Sequence, residues 1–130
     1  MSTEENKTTV RRLFEDGYNK MKIEAIAECY APGKYTEGMK QFVSRLFAAF
    51  PDYHVVIEDL LAEGDKVAVQ WRAQGAHQGV WRGLAPTGKT FNIIGMDIVQ
   101  LANGKIIAEV GIYEELNMLQ HLGVELPGVS

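Results

Sequence analysis

FNIIGMDIVQLANGKIIAEVGIYEE, residues 91 to 115, decides the fold. Asn103-Gly104 stands between two apolar, β-branched runs, the composition of a short turn joining antiparallel strands. Pairing Leu101 with Lys105 across a three-residue Ala-Asn-Gly loop puts Val99 opposite Ile107 and Asp97 opposite Glu109, so both carboxylates face one side. Directly opposed side chains have Cβ atoms roughly 5 Å apart. Two full charges at that distance repel by roughly 3 kcal/mol at an effective dielectric near 20. One of the pair is then expected to hold its proton near neutral pH, which supplies an acid and a base side by side on an apolar wall. The competing reading turns one or both acids to water, because a one-residue slip moves Glu109 to the other face.

Working back from the hairpin, residues 53 to 61 (YHVVIEDLL) and 66 to 77 (KVAVQWRAQGAH) carry β-branched and aromatic residues in strand-like runs. Glu63-Gly64-Asp65 and Pro86-Thr87-Gly88 separate the strands. Further upstream the period is helical. Ser2 and Glu5 form a capping-box pair ahead of Val10, Leu13, Phe14, Gly17, Tyr18 and Met21, predicting a helix over most of residues 4 to 20. A shorter helix is expected from Ile23 to Tyr30, stopped by Ala31-Pro32-Gly33. A third, capped by Thr36, carries Met39, Phe42, Val43, Leu46, Phe47 and Phe50 as one stripe. Residues 114 to 122 return to helical spacing before Gly123, with Glu114-Glu115 as negative charge at the helix start. Helices first, an antiparallel meander next and a helix last make an α+β fold in which a curved sheet and the helices enclose a pocket.

The chain has 130 residues, 46% hydrophobic and 23% charged, the range of one ordinary globular domain over residues 1 to 130. A net charge of −4 disfavours nucleic acid as partner. No apolar run is long enough for a membrane span and the N-terminus is polar, so a cytoplasmic location is expected. Cys29 is the only cysteine and reads as a small buried apolar side chain.

Residues 83 to 90, GLAPTGKT, satisfy the nucleotide-binding pattern G-x-x-x-x-G-K-[ST], whose mechanism needs a helix to begin at the Lys-Thr end. Phe91-Asn92-Ile93-Ile94 follows instead, which is strand-like, so no nucleotide is expected. His54, His77 and His121 lie on separate elements at no ligand spacing, and no metal site is expected. His54 reads as a strand-edge residue and His121 as a helix-end cation. Alternation puts Val69, Trp71, Ala73, Gly75 and His77 on the pocket face and Gln70, Arg72 and Gln74 on the other. His77 then reads either as a hydrogen-bond partner for substrate or as a satisfied structural histidine. Trp71, Trp81, Phe91 and Tyr113, with Tyr18 reaching in from the first helix, are candidates to line a pocket for a flat, apolar ligand; taken singly, each reads better as plain core.

The segments AAFPDYHVVIEDLLAEGDKVAVQWRAQGAHQG (48 to 79) and GLAPTGKTFNIIGMDIVQLANGKIIAEVGIYEELNMLQHLG (83 to 123) closely resemble the SnoaL-like polyketide cyclases, or ester cyclases, of the nuclear-transport-factor-2-like superfamily. The resemblance implies a cone-shaped, curved antiparallel sheet packed on N-terminal helices, the cystatin-like α+β barrel. It also implies a cofactor-free apolar pocket and a homodimer or higher homo-oligomer. Cyclases of the family close a ring by an intramolecular aldol reaction with a carboxylate on a late strand. Carried over, the acid/base role falls on Glu109 or Asp97, with Tyr18, His77 and Trp71 as pocket residues. Two departures stand out. Where many relatives read His-Trp this chain has Glu109-Val110, and a stretch that often reads DFVDH is shortened to Gly33-Lys34-Tyr35. The expected function is therefore cofactor-free acid/base ring closure or isomerisation on an apolar or aromatic small molecule. The alternatives are a non-catalytic binder of an apolar metabolite and a hydrolase or isomerase on the same cone. A carboxylate-Arg-carboxylate epoxide hydrolase site would need Arg72, which alternation places outside.

Overall fold

In the computed structural model, which describes residues 2 to 125, four helices and a π-helical turn precede, cover and follow one four-stranded sheet. The first helix, α1 (Thr3–Arg12), starts where the capping pair predicts: Ser2 Oγ accepts from the Glu5 amide and the Glu5 carboxylate from the Ser2 amide. It does not continue as an α-helix to residue 20. From Leu13 to Tyr18 the turn widens to a π-helix, closed by Asn19 N–H on Phe14 C=O at 2.9 Å and Lys22 N–H on Gly17 C=O at 3.0 Å. Helix α2 (Ile23–Glu28) is two residues shorter than its periodicity suggests, because Tyr30 leaves the helix for a parallel bridge to Ile106. Helix α3 (Lys34–Ala49) begins at Gly33, ahead of the expected Thr36 cap, and the Thr36 hydroxyl bonds back to Ala31 C=O instead.

Strands β1 (His54–Glu63), β2 (Lys66–Ala76), β3 (Thr90–Ala102) and β4 (Lys105–Tyr113) form a meander in the order β1-β2-β3-β4, each pair antiparallel; α4 (Glu115–His121) follows. The concave face buries Val55, Val67, Val69, Ala73, Ile93, Val99 and Leu101 against Val10, Ile26, Val43, Leu46 and Phe50 of the helical layer. Period-two alternation on the strands and the apolar stripes of α1 and α3 therefore meet in one core.

The register of the β3–β4 hairpin departs from the expected one. Ala102 pairs with Lys105, so the turn is the two-residue Asn103-Gly104, with φ of 52° and 77°. Both residues take the left-handed region that such a turn demands, a conformation Asn and Gly accept more readily than other residues. A regular ladder from this turn would put Ile98 opposite Glu109 and send that carboxylate outward. A bulge intervenes. Leu101 faces Ile106 and Gln100 faces Ala108, leaving Ile107 as the extra residue. Beyond it Val99 faces Glu109 and Asp97 faces Gly111. The two acids share the concave face as expected, but as diagonal rather than direct neighbours.

Candidate active site

A cavity of about 270 Å³ opens between the concave sheet face and the helices. All five tyrosines and both tryptophans of the chain line it, together with Asp97, Glu109 and apolar side chains of α3 and α4. The sheet floor is made by two close approaches to glycine. The Trp71 ring lies on Gly95, its cross-strand partner, where a Cβ would fall 2.2 Å from the indole. Asp97 leans over Gly111 in the same way, and a Cβ there would fall 1.7 Å from Oδ1. Trp71 and Asp97 can thus lie flat along the floor and meet: the indole Nε1–H donates to Asp97 Oδ2 at 2.9 Å.

Burial pushes Asp97 up to about 6, opposed by the Trp71 hydrogen bond and aided, as the smallest of the three causes, by the charge of Glu109. The expected order of causes is thereby corrected, since desolvation leads and repulsion between the acids is minor at diagonal spacing. Glu109 occupies a different setting. Its Oε1 accepts from the hydroxyls of Tyr30, at 2.9 Å, and Tyr35, at 2.6 Å. Burial and that carboxylate together hold both phenols protonated by raising them well above their ordinary range. Tyr30 is placed by its bridge to Ile106, next to the bulge that turns Glu109 inward.

Of the sequence candidates, Tyr18, Trp71, Trp81, Phe91, Asp97, Glu109 and Tyr113 line this cavity. His77 does not. It is fully buried against Phe50, and its Nδ1 accepts from the Thr87 amide at 3.2 Å. That bond places His77 under the loop rather than in the cavity, while its buried Nε2 has no partner among the described residues. The same loop spends its amides internally: Gly88 N–H bonds His77 C=O and Lys89 N–H bonds Thr87 Oγ1. Strand β3 begins at Thr90, so no helix N-terminus stands at the Lys89-Thr90 end of the nucleotide-like motif. At the end of α4, His121 Nδ1 accepts from the Asn92 amide. Arg72 points outward to Glu58 and Asn92. Glu114 accepts from the Ile94 amide and from Asn117, and Glu115 pairs with Arg82, which also donates to the Tyr113 hydroxyl.

Tyr30, Tyr35 and Tyr53 belong to the lining but were not among the candidates. For Tyr30 a signal was present: with Ile26 it continues the apolar face of α2 at i, i+4, a face that ends in a phenol rather than an aliphatic.

No curated protein sequence matches the chain. Among solved structures, AclR of Streptomyces galilaeus, provisionally named a hydroxylase, superposes with a TM-score of 0.87 at 22% identity, over 99% of this chain and 87% of that one. A protein of Jannaschia sp. CCS1, provisionally named a SnoaL-like polyketide cyclase, gives 0.86 at 27% identity, over 95% of both chains. IdmH of Streptomyces antibioticus, provisionally a polyketide cyclase, gives 0.78 at 25% identity, over 92% of this chain and 99% of that one. The profile of the SnoaL-like polyketide cyclases matches residues 8–122, nearly the full length that the sheet and helices occupy, and the chain belongs to that family, with the nuclear-transport-factor-2-like fold.

Proposed function

We propose that the protein is a cofactor-independent small-molecule enzyme of the polyketide cyclase type. Asp97 serves as the base that removes a proton from a carbon flanked by carbonyl groups, and then returns a proton to the oxygen that becomes an alcohol. The observation that carries this reading is the unequal setting of the two cavity carboxylates. Asp97 has one donor and a pKa near 6, close to the working pH that favours proton transfer in both directions. Glu109 has two phenol donors and acts as an orienting acceptor. The aromatic walls select an apolar or aromatic substrate and hold it folded, and orientation of this kind can supply several kcal/mol. IdmH and the Jannaschia protein, both named for cyclase chemistry, support the reaction class. As part of the same reading, the chain assembles with a second copy through the convex sheet face.

The test is deuterium uptake at the activated methylene of an aromatic β-keto ester, ethyl benzoylacetate, followed by proton NMR in heavy water. The protein should accelerate exchange, and Asp97→Asn should lower that acceleration roughly 10²-fold or more, the usual scale for a positioned base. Exchange unaffected by both Asp97→Asn and Glu109→Gln would leave a non-catalytic binding protein as the better reading.

A further inference from the structure

We infer that the hydroxyls of Tyr18 and Tyr53 form a two-donor subsite for a carbonyl oxygen of the ligand, so that the cavity selects ketones and related carbonyl compounds over hydrocarbons of the same shape. The inference rests on the proposed reaction only for the identity of the site. Its own support is geometric. Three of the five cavity phenols have protein partners: Tyr30 and Tyr35 on Glu109, and Tyr113 on Arg82. The Tyr18 and Tyr53 hydroxyls have none among the described residues, yet both side chains line the cavity with their rings 6.1 Å apart. Both residues are half-buried and neither hydroxyl is taken up by another described residue, so the pair is free to donate to an acceptor on a ligand in the cavity.

The rings are also held in place from both sides. Tyr18 is the last residue of the π-helical turn and stacks on Phe14 at 5.7 Å, while Tyr53 lies 6.4 Å from Phe91. The next residue, Asn19, spans to β1 with two hydrogen bonds: its Nδ2 donates to Val55 C=O at 2.7 Å and its Oδ1 accepts from the Val55 amide at 2.8 Å. That amide clamp on an edge strand joins the residue after Tyr18 to β1 two residues beyond Tyr53. Asn19 is a positioning residue for the pair. Burial holds both phenols protonated, and both line the same cavity as Asp97. If Asp97 takes a proton from the carbon next to the bound carbonyl, the C–H electron pair moves into the carbon skeleton. Negative charge then collects on the oxygen between the two phenols, where preorganised donors are most effective.

The experiment uses matched probes, 2-acetylnaphthalene labelled with carbon-13 at the carbonyl and 2-ethylnaphthalene. Calorimetry with the intact protein should show the ketone binding about tenfold tighter, and its carbonyl resonance should move downfield on binding. Tyr18→Phe and Tyr53→Phe should each shrink both effects, and the double variant should abolish them. Hydrocarbon affinity, which reports the intact cavity, should stay unchanged. Asn19→Ala should reduce the downfield shift while Asn19→Gln leaves it reduced as well, since the longer amide misses Val55. Equal affinity for the two probes in the unaltered protein, absence of binding by both, or a carbonyl shift that survives the double Phe variant would overturn the subsite. Loss of methylene exchange in the test of Asp97 bears on the reaction alone, so the two readings fail separately.

Discussion

The two faces of the sheet, built from alternate residues of the same strands, invert the ordinary rule in opposite ways. On the concave side an acid with a raised pKa lies among fully buried valines, Val67, Val69 and Val99. On the convex side one row of the register, Leu61, Ala68, Ile98 and Val110, runs across all four strands, with Leu61, Ile98 and Val110 exposed by 62%, 54% and 75%. Met96 and Ile112 extend it in the next row. Alternation alone explains neither. A polar group kept inside costs stability, and a continuous apolar patch left outside invites association, so each face carries a departure that function must repay. The inner departure underlies the proposed chemistry and the outer one the proposed association.

The largest expected effect tests the convex side. Val110→Lys with Ile98→Lys should convert an oligomer to a monomer of 14.5 kDa in light scattering at micromolar concentration. If the unaltered chain is already monomeric, the contrast between the faces loses its outer half.

Next comes the inner acid. Asp97 rises from 3.8 to about 6 on folding, so the folded chain binds more protons than the unfolded one between those values. Its contribution to stability is present below pH 4 and is lost as pH rises through 6. Asp97→Asn should therefore stabilise the protein by about 3 kcal/mol at pH 8 and by little at pH 3, read from urea unfolding at both pH values. A pH-independent difference would mean that the carboxylate is solvated.

A smaller effect compares added volume on each face. Gly111→Ala drives a methyl into Asp97 and should cost about 1–3 kcal/mol. Ala108→Val on the exposed face of the same strand should change stability by no more than about 0.5 kcal/mol. The smallest prediction concerns Trp71→Phe. It removes the one hydrogen bond that lowers Asp97, so the carboxyl should titrate higher in carbon-13 NMR, on the order of one unit.

Most of the secondary structure was legible because its signals are local: the Ser2–Glu5 cap, the stripe of α3, the alternation through Trp71 and the Asn103-Gly104 turn. The shared face of Asp97 and Glu109 was legible too. Its register was not, because the bulge at Ile107 depends on pairing with Gln100 and Leu101, and an isoleucine carries no mark of being the extra residue. The π-helical turn was hidden for a related reason, since Leu13, Phe14 and Tyr18 satisfy an α-helical period equally well. Tyr30 and Tyr35 reach Glu109 across 79 and 74 residues, a distance over which no periodicity speaks. His77 follows β2 by one residue and lies beyond the cavity, because strand parity sets direction and leaves depth along the strand open.

The gathering of every tyrosine and tryptophan around one cavity has an optical consequence. Near-ultraviolet absorption and emission in this molecule come from Tyr18, Tyr30, Tyr35, Tyr53, Tyr113, Trp71 and Trp81, with no chromophore of either kind elsewhere to dilute the signal. An occupant therefore changes the surroundings of the whole emitting population, and the intrinsic fluorescence of the unlabelled protein is a direct gauge of whether the cavity is filled.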